Sequence, residues 1–399
     1  MDAAAGSPLG WLCAGVTILL GVTVLCRAQR SPLGKAKVLL WSLPAAWLCA
    51  ATLGAAGGLG VFVAVCLLCS LCPGDSDLLP VGDRAVLITG SDTGIGHALA
   101  KYLDSLGFVV FAGVLNKDGP GAEELRRSCS QRLSVLQLDV TSTTQVKEAY
   151  LTVSEKVQNA GLWGVVNNAG ILGFPADGEL LPMSTYRHCM EVNFFGAVEV
   201  SKTFLPLLRK SQGRLVNMSS MADAMSNNLV NFHKGGIPLP RYAAYGASKA
   251  ALSMFSGVMR QELSKWGIKV MAIHPSGFRT GIEGTAEQWD KQEKELMENL
   301  PADTRQAYGE EYLLGLRNYL LHLPSHCAPD LSPVLGAVLH ALLARTPQGL
   351  YTPGKGAYIP LCIFCCFPLW FYDFFISKML RADSVPRELR TSGDEGKNL

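Results

Sequence analysis

Through the middle of the chain, short apolar runs recur: "AVLITG", "GFVVFAGVL", "SVLQLDV", "LWGVVNNAG", "RLVNMSS" and "IKVMAIHPSG". All are rich in Val, Ile and Leu. Between them lie stretches of helical pattern, for example at residues 96–106, 145–158 and 186–208. Strands that are apolar throughout are buried on both faces, the condition of a parallel sheet with helices on each side. The pattern therefore predicts an α/β domain built on a doubly wound parallel sheet. It would occupy residues 81–355, about 270 residues and an acceptable size for one such domain.

The pattern changes at both ends. Residues 11–26 (WLCAGVTILLGVTVLC) carry no charge, and neither does the longer run from 38 to 72. A helix needs roughly 20 apolar residues to cross a bilayer core, so the second run is long for one span and short for two. A cleaved signal would start with a basic segment, whereas the first ten residues hold Asp2 and no Lys or Arg. The glycines of "LGAAGGLG" suit close helix approach in lipid. Residues 1–80 are thus expected to be a retained anchor of N-terminal transmembrane helices with a linker. Arg27, Arg30, Lys35 and Lys37 would lie on the cytosolic side. The Pro- and Gly-bearing linker "PGDSDLLPVGD" marks the boundary. At the other end, residues 356–399 comprise "GAYIPLCIFCCFPLWFYDFFISKML" and a polar tail. Its aromatic residues fit a buried C-terminal segment or a membrane interface equally.

Charge narrows the function. A net charge of +2 with only 17% charged residues excludes the basic patch that nucleic-acid binding needs. Of twelve cysteines, only Cys129, Cys189 and Cys327 fall outside the apolar ends. No spacing suggests zinc or a disulfide framework, so no metal site is expected and cysteine acts as a small apolar residue. His233 and His274 lack partners at ligand spacing.

The candidate chemistry lies where strands end. "TGSDTGIG" (89–96) follows the first strand and leads into a helix. Gly90, Gly94 and Gly96, with Asp92 and Ile95 in the same turn, let backbone N–H groups approach a pyrophosphate at the helix start. "NNAG" closes the fourth strand with Asn168, Ala169 and Gly170; "VNFFG" supplies Asn193; "NMSS" closes the fifth strand at Ser220. "YGASK" then places Tyr245 and Lys249 one helical turn apart. Taken alone, that pair is a solvated surface pair as readily as a catalytic one. The order changes the reading, because a doubly wound sheet binds ligands outside the carboxyl ends of its strands. Asn217-Met218-Ser219 matches a glycosylation acceptor, but on a core strand where a glycan would abolish the fold. Arg209 and Lys210 read as a solvated turn.

Together these motifs, TGxxxGxG, NNAG, the helical Asn, Ser and YxxxK, resemble the short-chain dehydrogenase/reductase family and its Rossmann-like sheet. "AGVLNKDGPGAEELRR", "CMEVNFFGAVEV" and "YTPGKGAY" are similar to the membrane-bound hydroxysteroid dehydrogenases of that family, and the likeness spans most of the chain. The resemblance implies NAD-dependent oxidation of a steroid 17β-hydroxyl; 11β-hydroxysteroid and retinol dehydrogenases share the layout more distantly. It implies Tyr245 as general base, with Lys249 favouring the phenolate and bonding the nicotinamide ribose. Ser220 would hold the substrate oxygen, and Asn193 would support a water beside Lys249. Asp139 is implied at the adenine, and Asn168, Ala169, Gly170, Pro275, Gly277 and Thr280 along the rest of the cofactor. An endoplasmic reticulum membrane location and a homodimer are implied in the same way.

Cofactor choice can also be read from residues. The Gly-rich turn has no Lys or Arg to meet a 2′-phosphate, and Asp92 would repel one. Asn116 stands at the end of the second strand, where an acid would favour NAD more strongly, and Lys117 follows it. NAD is the reading. One feature departs from the family: Ser220 and Tyr245 lie 25 positions apart, where its members keep them about a dozen apart. Residues 223–234 (DAMSNNLVNFHK) account for the difference as an insertion facing the substrate. Loops tolerate insertion cheaply, about 0.6 kcal/mol per doubling, yet a loop over the site could block entry. A catalytically silent dinucleotide-binding membrane protein is the competing reading.

Overall fold

The six apolar runs become strands β1 (Ala85–Ile88), β2 (Val109–Val114), β3 (Leu133–Gln137), β4 (Gly164–Asn167), β5 (Arg214–Met218) and β6 (Lys269–Ile273). A two-residue β7 (Leu350–Tyr351), which the pattern does not announce, extends the sheet. All pairs are parallel, in the order β3-β2-β1-β4-β5-β6-β7. The order reverses between β1 and β4, which opens a crevice at their carboxyl ends. The computed structural model describes residues 78–221, 238–282, 286–313, 315–316, 327–354, 369–379 and 386–389. The two N-terminal apolar runs and the insertion 223–234, with His233, lie outside them.

Alternation of side chains along each strand sorts the core into two layers. Val86 and Ile88 point to one face with Val110, Ala112 and Val166. There they pack on helices α1 (Gly94–Ser105), α2 (Pro120–Ser128) and, late in the chain, Ser332–Leu343. Leu87, Phe111, Val165 and Leu215 point to the other. They meet α3 (Thr143–Val157) through Val146, Ala149 and Val153. Each such side chain, taken fully out of water, contributes about 1.5–3 kcal/mol. The start of α3 is set locally, since Ser142 accepts from the Gln145 N–H.

The predicted helix 186–208 is longer and not uniform. It runs as α4 (Met183–Met190), a π-helical turn at Glu191–Gly196, and α5 (Ala197–Ser211). A π turn widens the helix by one residue per turn and is common at functional sites; this one holds Asn193. Arg209 and Lys210 end α5 rather than forming a turn, and the Arg209 guanidinium lies 4.6 Å from the Trp266 ring centre. The remaining helices are α6 (Ala243–Glu262), α7 (Ala286–Asn299), α8 (Ala302–Tyr308), α9 (Ser332–Leu343) and α10 (Leu369–Met379).

A third apolar cluster joins Phe174, Leu180 and Leu181 to Trp289, Leu296, Tyr312, Leu313 and Ala244. It binds α7 and the chain after α8 to the loop that follows β4 and to the start of α6. The opposite end of the sheet is closed by donors to carbonyls at the end of α9 and just beyond it. Trp163 Nε1 donates to Leu342 O (3.0 Å), Arg214 to Ala344 O (3.1 Å) and Lys269 to Arg345 O. Cations at a helix C-terminus complement its dipole.

The C-terminal aromatic stretch divides its residues. Tyr372 and Ile376 of α10 are buried, while Leu369, Trp370 and Phe374 are exposed. Among the described residues, no helix is long and apolar enough to cross a membrane.

Candidate active site

The Gly-rich turn between β1 and α1 is shaped by backbone crowding. Gly90 and Gly94 sit at φ 67° and 60°, in the left-handed region that glycine adopts without penalty. Gly96 is required by space instead: a Cβ there would stand 2.2 Å from the Gly90 carbonyl oxygen and 2.4 Å from Asn168 Nδ2. Asn168 is the clasp. Its side chain donates to Thr89 O and Gly90 O, while Thr89 Oγ1 accepts from the Asn168 and Ala169 N–H groups, all at 3.0 Å. Thr93, at the N-cap of α1, makes no side-chain capping bond, and the first turn carries no acid. The helix start therefore offers bare N–H groups and a positive dipole end. Thr280, in the loop after β6, reaches across: a Cβ on Gly94 would lie 2.6 Å from its carbonyl oxygen. Ile95 is half-buried behind the turn.

Asp92 turns away from this turn toward β2. Its carboxylate accepts from the Leu115 N–H at 2.9 and 3.0 Å and from the Asn116 N–H at 3.2 Å. An acid from the first strand's turn thus stands at the end of the second strand, beside Asn116, whose own Oδ1 accepts from the Asp118 N–H. Asp139, at the end of β3, uses Oδ1 to accept from the N–H and hydroxyl of Thr141.

The second half of the site gathers around α6. Tyr245 and Lys249 are both buried on the same face, with Lys249 Nζ 5.9 Å from the Tyr245 ring centre and donating to Met218 O at 2.9 Å. Asn193 is fully buried in the π turn. It bonds both backbone groups of Ile171 (2.8 and 2.9 Å) and donates to Ser248 Oγ at 2.9 Å. Gly170 lies against both of these groups, since a Cβ there would be 3.1 Å from Asn193 Oδ1 and 3.1 Å from Lys249 Nζ. Ser220 is half-buried at the end of β5. Pro275 and Gly277 follow β6, where Gly277 O accepts from the Ala328 N–H. Burial pushes the thiol of nearby Cys189 up to about 11, which leaves it a protonated, unreactive neighbour near neutral pH.

The family model described as "short chain dehydrogenase" matches residues 84–291. The chain belongs to the short-chain dehydrogenase family. Human 17-beta-hydroxysteroid dehydrogenase type 2 is 51% identical over 388 residues, 96% of each chain. Estradiol 17-beta-dehydrogenase 2 of Rattus norvegicus is 48% identical, over 97% of this chain and 98% of its own. Bovine 11-beta-hydroxysteroid dehydrogenase type 2 is 45% identical over 78% of this chain and 74% of its own. Among solved structures, a short-chain dehydrogenase from Streptomyces avermitilis superimposes with a TM-score of 0.54 at 21% identity, covering 75% of this chain and 94% of that one. One from Burkholderia cenocepacia in complex with NADP gives 0.52 at 20%, covering 72% and 95%. At those identities the two structures speak for the fold alone.

Within this short-chain dehydrogenase, several supporting residues were not singled out as site residues by the sequence. Ser219 donates to Lys249 O at 3.0 Å, Ser253 donates to Ser219 at 3.1 Å, and Ser253 in turn meets His274 Nε2 at 3.0 Å. This buried chain of groups ties α6 to β5 and β6 beneath the tyrosine–lysine pair. Asn167 and Asn217 pair side by side at 2.8 Å on neighbouring strands. Among the described residues, no group of three or more His, Cys, Asp or Glu side chains could hold a metal.

Proposed function

We propose that the protein oxidises the 17β-hydroxyl of steroids such as estradiol and testosterone with NAD, using Tyr245 as general base. The observation that carries this reading is the 51% identity along 96% of the chain to the human type 2 17-beta enzyme, against 45% along 78% for the bovine 11-beta enzyme. A dinucleotide suits the site because the Gly90–Gly96 turn leaves no room for side chains and presents an uncapped helix start. The turn would hold the pyrophosphate, Asp139 the adenine end, and Pro275, Gly277 and Thr280 with Asn168, Ala169 and Gly170 the nicotinamide side. Once bound, the nicotinamide supplies the hydride acceptor for the carbinol carbon.

The chain's own residues do the proton chemistry. Tyr245 takes the hydroxyl proton, and the Lys249 cation beside its ring favours the phenolate. Ser220 holds the substrate oxygen. Asn193, locked to Ile171 and Ser248, keeps the π turn open next to Lys249 and so supports a water there. Membranes carrying the full-length protein should reduce NAD with estradiol or testosterone faster than with an 11β-hydroxyl glucocorticoid. Faster turnover of the 11β-hydroxyl would move the assignment to that activity, and no turnover of any alcohol would favour the silent dinucleotide-binding reading that the insertion raises.

NAD selectivity rests on Asp92. Its carboxylate, held at the end of β2 by the Leu115 and Asn116 amides, occupies the region where a 2′-phosphate would approach and repels it. Asp92→Asn should cut the preference for NAD over NADP roughly tenfold, the equivalent of about 1.4 kcal/mol. Unchanged ratios of kcat/KM for the two cofactors would remove Asp92 from that role.

The uncharged runs 11–26 and 38–72 support a membrane-anchored enzyme, assigned here to the endoplasmic reticulum on its likeness to the family. The exposed Leu369, Trp370 and Phe374 of α10 support a lipid-facing side. Exposed Phe195, Met254 and Val258 on the π turn and α6 support a homodimer through those elements.

A further inference from the structure

Tyr245 sits in the first turn of α6, so its position depends on how the chain enters that helix. The entry is a tight turn in which Leu239 O accepts from the Tyr242 N–H at 3.3 Å. Pro240 and Arg241 occupy its corner, and Arg241 has φ 72°. That is the geometry of a type II turn, whose third position is normally glycine because side chains resist the left-handed region. The helix has no help from its own N-cap either, since Tyr242 makes no side-chain capping bond. A strained, uncapped turn is a poor support for a catalytic side chain unless something else holds it.

Two tyrosines from later in the chain do so. The Tyr372 hydroxyl, on α10, donates to Pro238 O at 2.9 Å across 134 residues of sequence. Tyr372 is 1% exposed, and Ile376 one turn on is 5% exposed, so the helix face that carries the bond is packed. Burial pushes the Tyr372 phenol up, and it remains a donor at physiological pH. From the third apolar cluster, the Tyr312 hydroxyl donates to Asp177 at 2.6 Å and its oxygen accepts from the Arg241 side chain. The turn is therefore braced at its corner residue Arg241 and at Pro238 just before it, by elements that lie outside the cofactor-binding core.

We propose that Tyr372 is a positioning residue for the catalytic tyrosine: its bond to the Pro238 carbonyl fixes the turn that launches α6 and so sets where the Tyr245 hydroxyl meets the substrate oxygen. The inference rests on the reading of Tyr245 as the base. It also gives the C-terminal aromatic helix a role that its composition does not disclose.

The test is Tyr372→Phe in the full-length membrane protein, with Ile376→Ala as the packing control. Misplacement of a catalytic group by an ångström can cost about a hundredfold; with the Arg241 brace intact, Tyr372→Phe should lower kcat about tenfold. KM for the steroid, the NAD dissociation constant and the melting temperature should stay near those of the parent, because the ring and its packing are kept. Ile376→Ala should lower the melting temperature and leave kcat near the parent's at temperatures where it is folded. Unchanged kcat in Tyr372→Phe overturns the proposal. So does a loss of NAD affinity in parallel with kcat, or an equal kcat loss in Ile376→Ala, since either makes helix packing the cause. Full turnover in Tyr245→Phe would instead overturn the reading of the base.

Discussion

Replacing Tyr245 by phenylalanine should lower steroid oxidation by about 10²–10⁴-fold while leaving NAD binding essentially intact. The two effects separate because of where the residue stands. Tyr245 is buried on α6 beside Lys249, and phenylalanine keeps the ring that packs there. Only the hydroxyl is lost, and with it the proposed acceptor of the substrate proton. The Lys249 ammonium, still bonded to Met218 O, stays available to the cofactor. Initial rates at saturating NAD, with a titration of NAD binding on the same preparation, measure both terms. Near-normal turnover would remove Tyr245 from the mechanism.

Gly96→Ala should abolish dinucleotide binding and destabilise the domain. The added Cβ would lie 2.2 Å from the Gly90 oxygen, 2.4 Å from Asn168 Nδ2 and 2.9 Å from the Gly90 carbonyl carbon. Two of these atoms are backbone, and the third is the clasp that fixes the turn. None can retreat without opening the β1–α1 connection, so the cost is that of overpacking, about 1–3 kcal/mol or more. The same substitution at Gly336, on α9 with open space around it, serves as control and should be neutral or stabilising by about 1 kcal/mol. Melting temperatures and NAD titrations of the two variants should diverge. Wild-type NAD affinity in Gly96→Ala would refute the steric account of the cradle.

The doubly wound sheet was legible because its evidence is local. An apolar run such as "AVLI" has only one comfortable environment, the middle of a sheet covered on both faces, and the order of such runs with helices between leaves few topologies. The glycines and the Tyr245–Lys249 pair were legible for a related reason: each is a spacing of a few residues, and such spacing is written along the chain, whereas the bonds by which Asn168 clasps the Gly-rich turn span 78–80 residues. The place of Asn193 near the site could be read as well, but the π turn that holds it could not. The partners that fix the Asn193 side chain within that turn, Ile171 and Ser248, lie 22 and 55 residues away in sequence.

Tertiary structure decided the rest. Asp92 could be seen as a negative charge in the Gly-rich turn, but only folding carried its carboxylate to the amides of Leu115 and Asn116. The two-residue β7 is a strand only because β6 is there to receive it. Composition left the C-terminal aromatic stretch divided between burial and a membrane interface. In the fold, α10 turns Tyr372 and Ile376 inward and Trp370 and Phe374 outward. Sequence alone determined which candidate residues the strands present at their ends and in what order, because periodicity and short spacings act within a few residues. Which long-range partners aim those residues was decided by packing, because a hydrogen bond such as Tyr372 to Pro238 exists only once 134 intervening residues have folded.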